Sequence, residues 1–339
     1  MVRVRATQQE IDAAVAALRD GELVAFPTET VYGLGANAQN PAAVRKLFRV
    51  KGRPAEHPVI VHLDNERFMH RWAASVPRAA QKLAEAFWPG PLTLILEKHE
   101  NVNTVVTGGQ QTIALRVPAH PMAQQLLTAF GGGIAAPSAN RYGRLSPTRA
   151  EHVREEFGTE VPVILDGGEC QIGIESTIVA FDAHGARLLR PGWISVAQLE
   201  EVIGPVAIGP SLDAPRVPGS DRRHYAPMTP MVIVPADDID VEARERSDGG
   251  RRVAVLAQRL PLRTYPSVTW VNAGRRLDVY AHDLYANLRA LDTAGCELIL
   301  VQAVPEDAQW QSVRDRLMRG AERRSDPDED TAEGLAVLP

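Results

Sequence analysis

Residues 23–37 read LVAFPTETVYGLGAN, and the reading of the first two hundred residues starts from them. Leu23–Phe26 has the length and apolar character of a short buried strand, and Pro27 stops it because proline cannot donate to a ladder. Upstream, Thr7-Gln8-Gln9-Glu10 forms a capping box, in which the threonine oxygen caps a helix start and the glutamate reaches back. Ile11, Ala14, Val15 and Leu18 follow at helical spacing, and Gly21 closes the helix. Downstream, Asn40-Pro41 opens a second helix with Val44, Leu47 and Phe48 on its apolar side, ending near Lys51-Gly52 before Arg53-Pro54. Between them, Pro27–Asn37 reads as a loop. It sets Thr28, Glu29, Thr30 and Tyr32 where the carboxyl end of a strand opens into a crevice, with Gly33 and Gly35 allowing close backbone approach. A ligand loop and a plain turn are equally compatible with this pattern, because a lone G-x-G is a weak signal.

The same rhythm continues outward. Strands are expected at Val59–Leu63, Leu92–Glu97, Thr112–Val117, Gly133–Ala136, Val163–Leu165, Ser176–Phe181 and Arg187–Leu189, and helices at Arg78–Phe87, Pro121–Phe130, Ala150–Phe157 and Val196–Ile203. Thr148 with Glu151 and Ser195 with Gln198 repeat the capping-box spacing. Many strands with interspersed helices imply an α/β body on a large mixed sheet, residues 1–204. From Gly204 to Pro230 the chain holds six prolines and three glycines, the composition of an extended connector, residues 205–230. Short β-type runs at 232–234, 253–256, 268–271 and 298–301, with helices at 279–291 and 310–318, then suggest a small Rossmann-like α/β domain, residues 231–322. It lacks G-x-G-x-x-G after its first strand. Residues 323–339 begin with a densely charged stretch and read as a tail.

Bulk properties narrow the function. With 339 residues, 45% hydrophobic and 23% charged, the chain has an ordinary globular composition and is long enough for two domains. A net charge of −5 does not mark a nucleic-acid binder, although a local basic groove remains compatible with it. Cys170 and Cys296 are too far apart in sequence for a zinc or disulfide pattern, the start MVRVRATQQE has no apolar leader segment, and no apolar run approaches membrane-spanning length. A cytoplasmic protein with no membrane partner is expected.

Further stretches carry groups that chemistry uses. In KGRPAEHPVIVHL (51–63), Lys51 and Arg53 suit an anion such as phosphate, but the commoner reading is a helix carboxyl terminus, which cations complement by default. His62 sits in an apolar strand, where a hydrogen-bonded core residue is the commoner reading. In TIALRVPAHP (112–121), alternation puts Thr112, Ala114 and Arg116 on one face; a strand arginine needs a carboxylate, from the protein or from a substrate. APSANRYGRLSPT (136–148) supplies Ser138, Asn140 and Ser146 with cations at 141 and 144; IESTI (174–178) and LLRPG (188–192) add Ser176 and Arg190. No catalytic triad order, H-E-x-x-H or P-loop accompanies them. The inventory fits a groove for a multi-phosphate ligand plus a small carboxylate.

Taken together, PTETVYGLGANA, K-G-R-P with H-P-V-I-V-H-L, WPGPLTLIL, ALRVPAHP, AAPSAN with SPT, DGG with ESTIVAF, and LLRPG resemble the YrdC-like L-threonylcarbamoyladenylate synthases, in the family's order. R-H-Y-A-P in the connector and the extra domain resemble the long, two-domain form. The resemblance implies a YrdC-like twisted mixed sheet around a concave positive groove. It implies synthesis of threonylcarbamoyl-AMP and pyrophosphate from L-threonine, bicarbonate or CO2, and ATP with Mg2+ held mainly by the phosphates. A downstream transferase complex then modifies tRNAs reading ANN codons; direct tRNA binding is left open. By motif position, Thr30, His62, Arg116, Ala136 and Ser176 correspond to the threonine site. Lys51, Arg53, His57, Thr112, Ser138, Asn140, Ser146, Arg190, His224 and Tyr225 correspond to the ATP site, and Lys51, Arg53 and Arg116 to the catalytic cations. One departure is His57, where the family usually has asparagine. The connector stretch SDRRHYAP (220–227) then reads as a lid whose Arg222, Arg223, His224 and Tyr225 face the groove. A non-catalytic RNA-binding module is the alternative. The related hydrogenase-maturation carbamoyltransferases are excluded by the lack of cysteine pairs.

Overall fold

The computed structural model describes residues 5–209, 215–219 and 224–321. Ten strands form one sheet: β1 (Val24–Phe26), β2 (Gly33–Asn37), β3 (Ile60–His62), β4 (Leu92–Glu97), β5 (Thr112–Arg116), β6 (Ile134–Ala135), β7 (Val163–Ile164), β8 (Thr177–Asp182), β9 (Gly185–Arg190) and β10 (Val206–Ile208). Their order is β10-β9-β8-β4-β5-β3-β6-β2-β1-β7, mixing parallel and antiparallel neighbours. Four more, β11 (Met231–Val234), β12 (Val253–Ala257), β13 (Val268–Asn272) and β14 (Leu298–Gln302), form a second, wholly parallel sheet in the order β11-β14-β12-β13. No helix among the described residues is long and apolar enough to cross a membrane.

Local signals account for much of this. The boxes at Thr7/Glu10 and Ser195/Gln198 are both formed, and Asn40 caps the helix Pro41–Lys51, which ends at left-handed Gly52. Three expectations fail. The helix Ala150–Phe157 is capped by no side chain, and the Thr148 hydroxyl has no partner among the described residues; the Thr148 N–H instead donates to His152 Nδ1 at 3.2 Å. Gly33–Asn37 is a strand, not a loop: a Cβ on Gly35 would stand 2.8 Å from Ile134 and 2.9 Å from the Phe26 ring, so that glycine serves sheet packing rather than ligand approach. The first residues after Gly204 are not extended spacer, because β10 pairs in parallel with β9 at the sheet edge.

Helices cover the large sheet unevenly, and that positions the site. The helices Gln8–Arg19 and Pro121–Phe130 pack on Val24 and Phe26, while Leu23, Ala25, Val61, Leu94 and Leu115 face a second core with Leu47 and Leu83. On the remaining face, Ile60, Ile95, Ala114, Ile178 and Ala180 are covered by connector residue Val217 rather than by a helix. Strand alternation puts His62 and Arg116 on this same face, and parallel pairing of β3 with β5 sets them directly opposite each other. The second domain's helices Leu277–Asp292 and Gln311–Gly320 pack onto Val31, Leu145 and Ile174 of the first.

Candidate active site

A cleft of about 600 Å³, open solvent at its mouth included, runs between the unhelical face of the large sheet and the connector. It is lined by Thr30, Lys51, Arg53, His62, Arg116, Ala136, Ser138, Asn140, Ser176, Arg190, His224 and Tyr225. Twelve positions drawn from seven separate sequence stretches thus meet in one place.

Arg116 forms the floor and is almost fully buried. Its Nη2 donates to Glu29 Oε1 at 2.7 Å, Nη1 to Thr30 Oγ1 at 2.9 Å and Nε to the Gly90 carbonyl at 3.3 Å. The protein therefore supplies a carboxylate for this strand arginine, and two of the five guanidinium N–H groups remain unused among the described residues. Beside it, His62 is buried with Nδ1 unpartnered; burial, then the Arg116 charge, push its pKa down from 6.5 to about 3, so the ring is neutral.

The opposite wall is cationic. Lys51 Nζ donates to the carbonyls of Ser138 and Asn140, and its pKa is held well below the usual lysine range by burial and by neighbouring Arg53. Arg53 Nη2 donates to the Pro58 carbonyl at 2.9 Å. Arg190 binds Ser176 through its carbonyl (3.1 and 2.9 Å) and hydroxyl (3.0 Å), and reaches the connector at the Pro218 carbonyl, 2.9 Å away. Burial lowers its pKa too. Three buried cationic side chains border one space, and a polyanion between them would offset the cost of keeping their charges there.

The connector closes the cleft. Tyr225 is 1% exposed, with φ 61, the left-handed region that a bulky residue enters only under constraint, and its hydroxyl has no partner among the described residues. His224 stacks edge-on against it at 4.1 Å between centroids. Arg222 and Arg223 lie outside the described residues.

Three of the expected residues do not line the cleft. His57 stands behind it, bonded through Nδ1 to the lining Tyr142 at 3.2 Å. Ser146 donates its hydroxyl to Glu175 at 2.5 Å. Thr112 opens β5, roughly 13 Å along the strand from Arg116, and lines a separate hollow with Ile95, Ala180 and Leu189, because four strand residues return a side chain to the same face but not to the same end.

Residues 16–192 match the family model described as telomere recombination (Sua5/YciO/YrdC), and residues 194–322 the one described as threonylcarbamoyl-AMP synthase, C-terminal domain. The chain belongs to the threonylcarbamoyl-AMP synthase family. The threonylcarbamoyl-AMP synthase of Pyrococcus abyssi is 40% identical over 331 residues, covering 94% of this chain and 96% of the relative; that of Bacillus subtilis is 40% identical over 321 residues, covering 92% and 93%. The crystal structure of P. abyssi Sua5 complexed with L-threonine superimposes with a TM-score of 0.87 at 38% identity, covering 95% of this chain and 98% of that one. Membership makes the chain an enzyme of the nucleotidyltransferase type, with its place in threonylcarbamoyladenosine synthesis.

Within the synthase fold, residues to which motif position assigned no role, Glu29 of the crevice loop among them, hold the site together. Glu29 anchors Arg116 and also accepts the Ala119 N–H at 2.9 Å. Glu175 lines the cleft yet accepts from Ser146, from Tyr285 and from Arg316, the last at 2.8 Å. Burial pushes its pKa up, but Arg316, Arg190 and the Ser146 hydrogen bond prevail and hold it below the usual carboxylate value. For Arg316 a signal was readable: Val313, Arg316, Leu317 and Gly320 share one buried stripe of a helix, and a cation on such a stripe needs a partner elsewhere.

Proposed function

We propose that this cleft joins L-threonine, bicarbonate or CO2, and ATP into L-threonylcarbamoyl-AMP and pyrophosphate, and that a downstream transferase complex places the threonylcarbamoyl group on tRNAs reading ANN codons. The observation that carries the reading is the division of the cleft: Arg116, with two N–H groups unused among the described residues, stands beside neutral His62 and Thr30, facing a wall of Lys51, Arg53 and Arg190. The first side suits the carboxylate and hydroxyl of a small amino acid, the second a triphosphate.

The neutral amine of threonine attacks CO2 and forms a carbamate, losing one proton. A carbamate oxygen then attacks the α-phosphorus, and pyrophosphate leaves. The lining offers few bases and many cations, so the protein's part is placement and neutralisation of developing charge. Lys51, Arg53 and Arg190 would spread over the phosphates, with Ser138 and Asn140 beside them, while Arg116 and His62 hold threonine, bordered by Ala136 and Ser176. Mg2+ fits as a passenger of ATP, where it would neutralise phosphate oxygens: among the described lining residues the carboxylate is Glu175, and its oxygens are already engaged. Tyr225 and His224 would cover the nucleotide and keep water from a labile adenylate. We place the enzyme in the cytoplasm, in keeping with its free cysteines Cys170 and Cys296.

Pyrophosphate release measured with ATP, bicarbonate and each amino acid in turn tests the reading. Threonine-dependent release is expected; release independent of the amino acid, or RNA binding without any turnover, overturns it.

A further inference from the structure

One ion pair between the two domains touches the neighbours of several cleft residues at once. Glu175 immediately precedes Ser176 and accepts from Ser146, Tyr285 and Arg316. Arg316, 1% exposed, comes from the helix Gln311–Gly320 of the second domain. Its Nε donates to Glu175 at 2.8 Å, and its Nη1 to Asp315 at 2.8 Å and to the carbonyl of Pro191, the residue after Arg190, at 2.9 Å. The guanidinium carbon stands 5.2 Å from the centre of the Tyr225 ring. Farther along the same helix, the Arg319 carbonyl accepts the His224 N–H at 3.1 Å, and Gly320 lies so near that a Cβ there would meet the Tyr225 carbonyl at 2.7 Å. A single helix face therefore grips the sheet-side wall, at Glu175 and Pro191, and the connector, at His224 and Tyr225.

We propose that Arg316 is a positioning residue for the reaction: it sets the distance between the Ser176–Arg190 wall and the His224–Tyr225 segment, so that the second domain fixes the geometry of the nucleotide side of the cleft. The proposal rests on the function given above. The planar guanidinium reaches Glu175 from Nε and the Pro191 carbonyl from Nη1 while facing the Tyr225 ring; a lysine ammonium has three donors, but all on one nitrogen, and does not reproduce that fixed, spread geometry. Arg316 touches no cleft space itself, so its effect passes through Glu175, Pro191 and Tyr225.

Two measurements test it. In Arg316→Lys, which keeps a charge for Glu175, KM for ATP should rise at least tenfold while KM for threonine stays within threefold and the melting temperature stays near wild type. A folded Arg316→Lys with KM for ATP within threefold of wild type overturns the proposal. The second measurement needs no variant: amide hydrogen exchange of the wild-type enzyme with and without ATP. ATP should slow exchange at least fivefold both at residues 224–226 and in the helix 311–320; slowing confined to the first domain overturns the proposal. Absence of threonine-dependent turnover in the wild type would instead refute the proposed function, and the exchange result is read independently of it.

Discussion

Arg116 and Glu29 can be separated by breaking one ion pair from its two ends. Both side chains are buried, 4% and 8% exposed, and the bond between them is 2.7 Å. Removing either partner leaves a buried group uncompensated, a loss on the order of 3–5 kcal/mol in stability. Arg116→Ala and Glu29→Gln should therefore destabilise the fold by comparable amounts, the second somewhat less because glutamine still accepts a hydrogen bond. Their effects on threonine should diverge. Arg116→Ala removes the two N–H groups left over for a substrate carboxylate, and charge-assisted bonds contribute about 1.5 kcal/mol or more each. Two of them sum to about 3 kcal/mol, which is roughly a 150-fold rise in Kd at 1.4 kcal/mol per decade. Glu29→Gln retains the guanidinium on the floor of the cleft and should leave threonine Kd within a few-fold. Urea unfolding reads the first effect and titration calorimetry with threonine the second. Equal losses of threonine affinity in the two folded variants, or none in Arg116→Ala, would refute the reasoning, because Arg116 would then be a structural partner of Glu29 alone.

His62 makes an acid-side prediction. Its folded pKa lies near 3 against 6.5 in the unfolded chain, so below about pH 6.5 the unfolded state binds a proton that the folded state refuses. That proton erodes stability by up to ~1.4 kcal/mol per pH unit as the pH falls from 6.5 toward 3. His62→Gln should lose less stability over that window, and parallel unfolding curves for variant and wild type between pH 7 and 4 would disprove the assignment. Gly219, at φ 83, faces the Tyr225 hydroxyl so closely that a Cβ would stand 2.3 Å from it. Gly219→Ala should add about 1–2 kcal/mol of backbone strain and displace the Tyr225 ring, raising KM for ATP and lowering the melting temperature by about a few degrees; wild-type kinetics in this variant would show that the connector does not close over the nucleotide.

Local chemistry was legible wherever the determinant lies within a few residues. The helices at 78–87, 121–130, 150–157 and 196–203 begin and end where apolar spacing and proline placed them. Motif reading likewise gathered Thr30, His62, Arg116, Ser176 and Arg190, which the fold brings to one cleft. What escaped depends on contacts across long separations. Arg116 and Glu29 are 87 residues apart, and nothing local says which carboxylate will answer the arginine. Gly33 and Gly35 look like loop glycines until the Phe26 ring and Ile134 are known to press on Gly35. Thr112 shares its face with Arg116, so alternation alone could not tell that it belongs to a different hollow.

The connector is the sharpest instance. Its composition announced a tether and its His-Tyr pair a ligand, and both readings treat residues 224 and 225 as properties of the connector. In the fold they are not. Ala226 N–H is bonded to the Gly143 carbonyl of the first domain, His224 N–H to Arg319 of the second, and the Tyr225 ring lies between Gly219 and Arg316. A tyrosine at φ 61 persists only where surroundings over-determine it. Those surroundings come from both domains, so neither the first domain with its connector nor the connector grafted elsewhere would hold that backbone. On the positioning role proposed for Arg316, the second domain, which carries no nucleotide fingerprint of its own, would supply the far side of a clamp whose near side is the cleft wall.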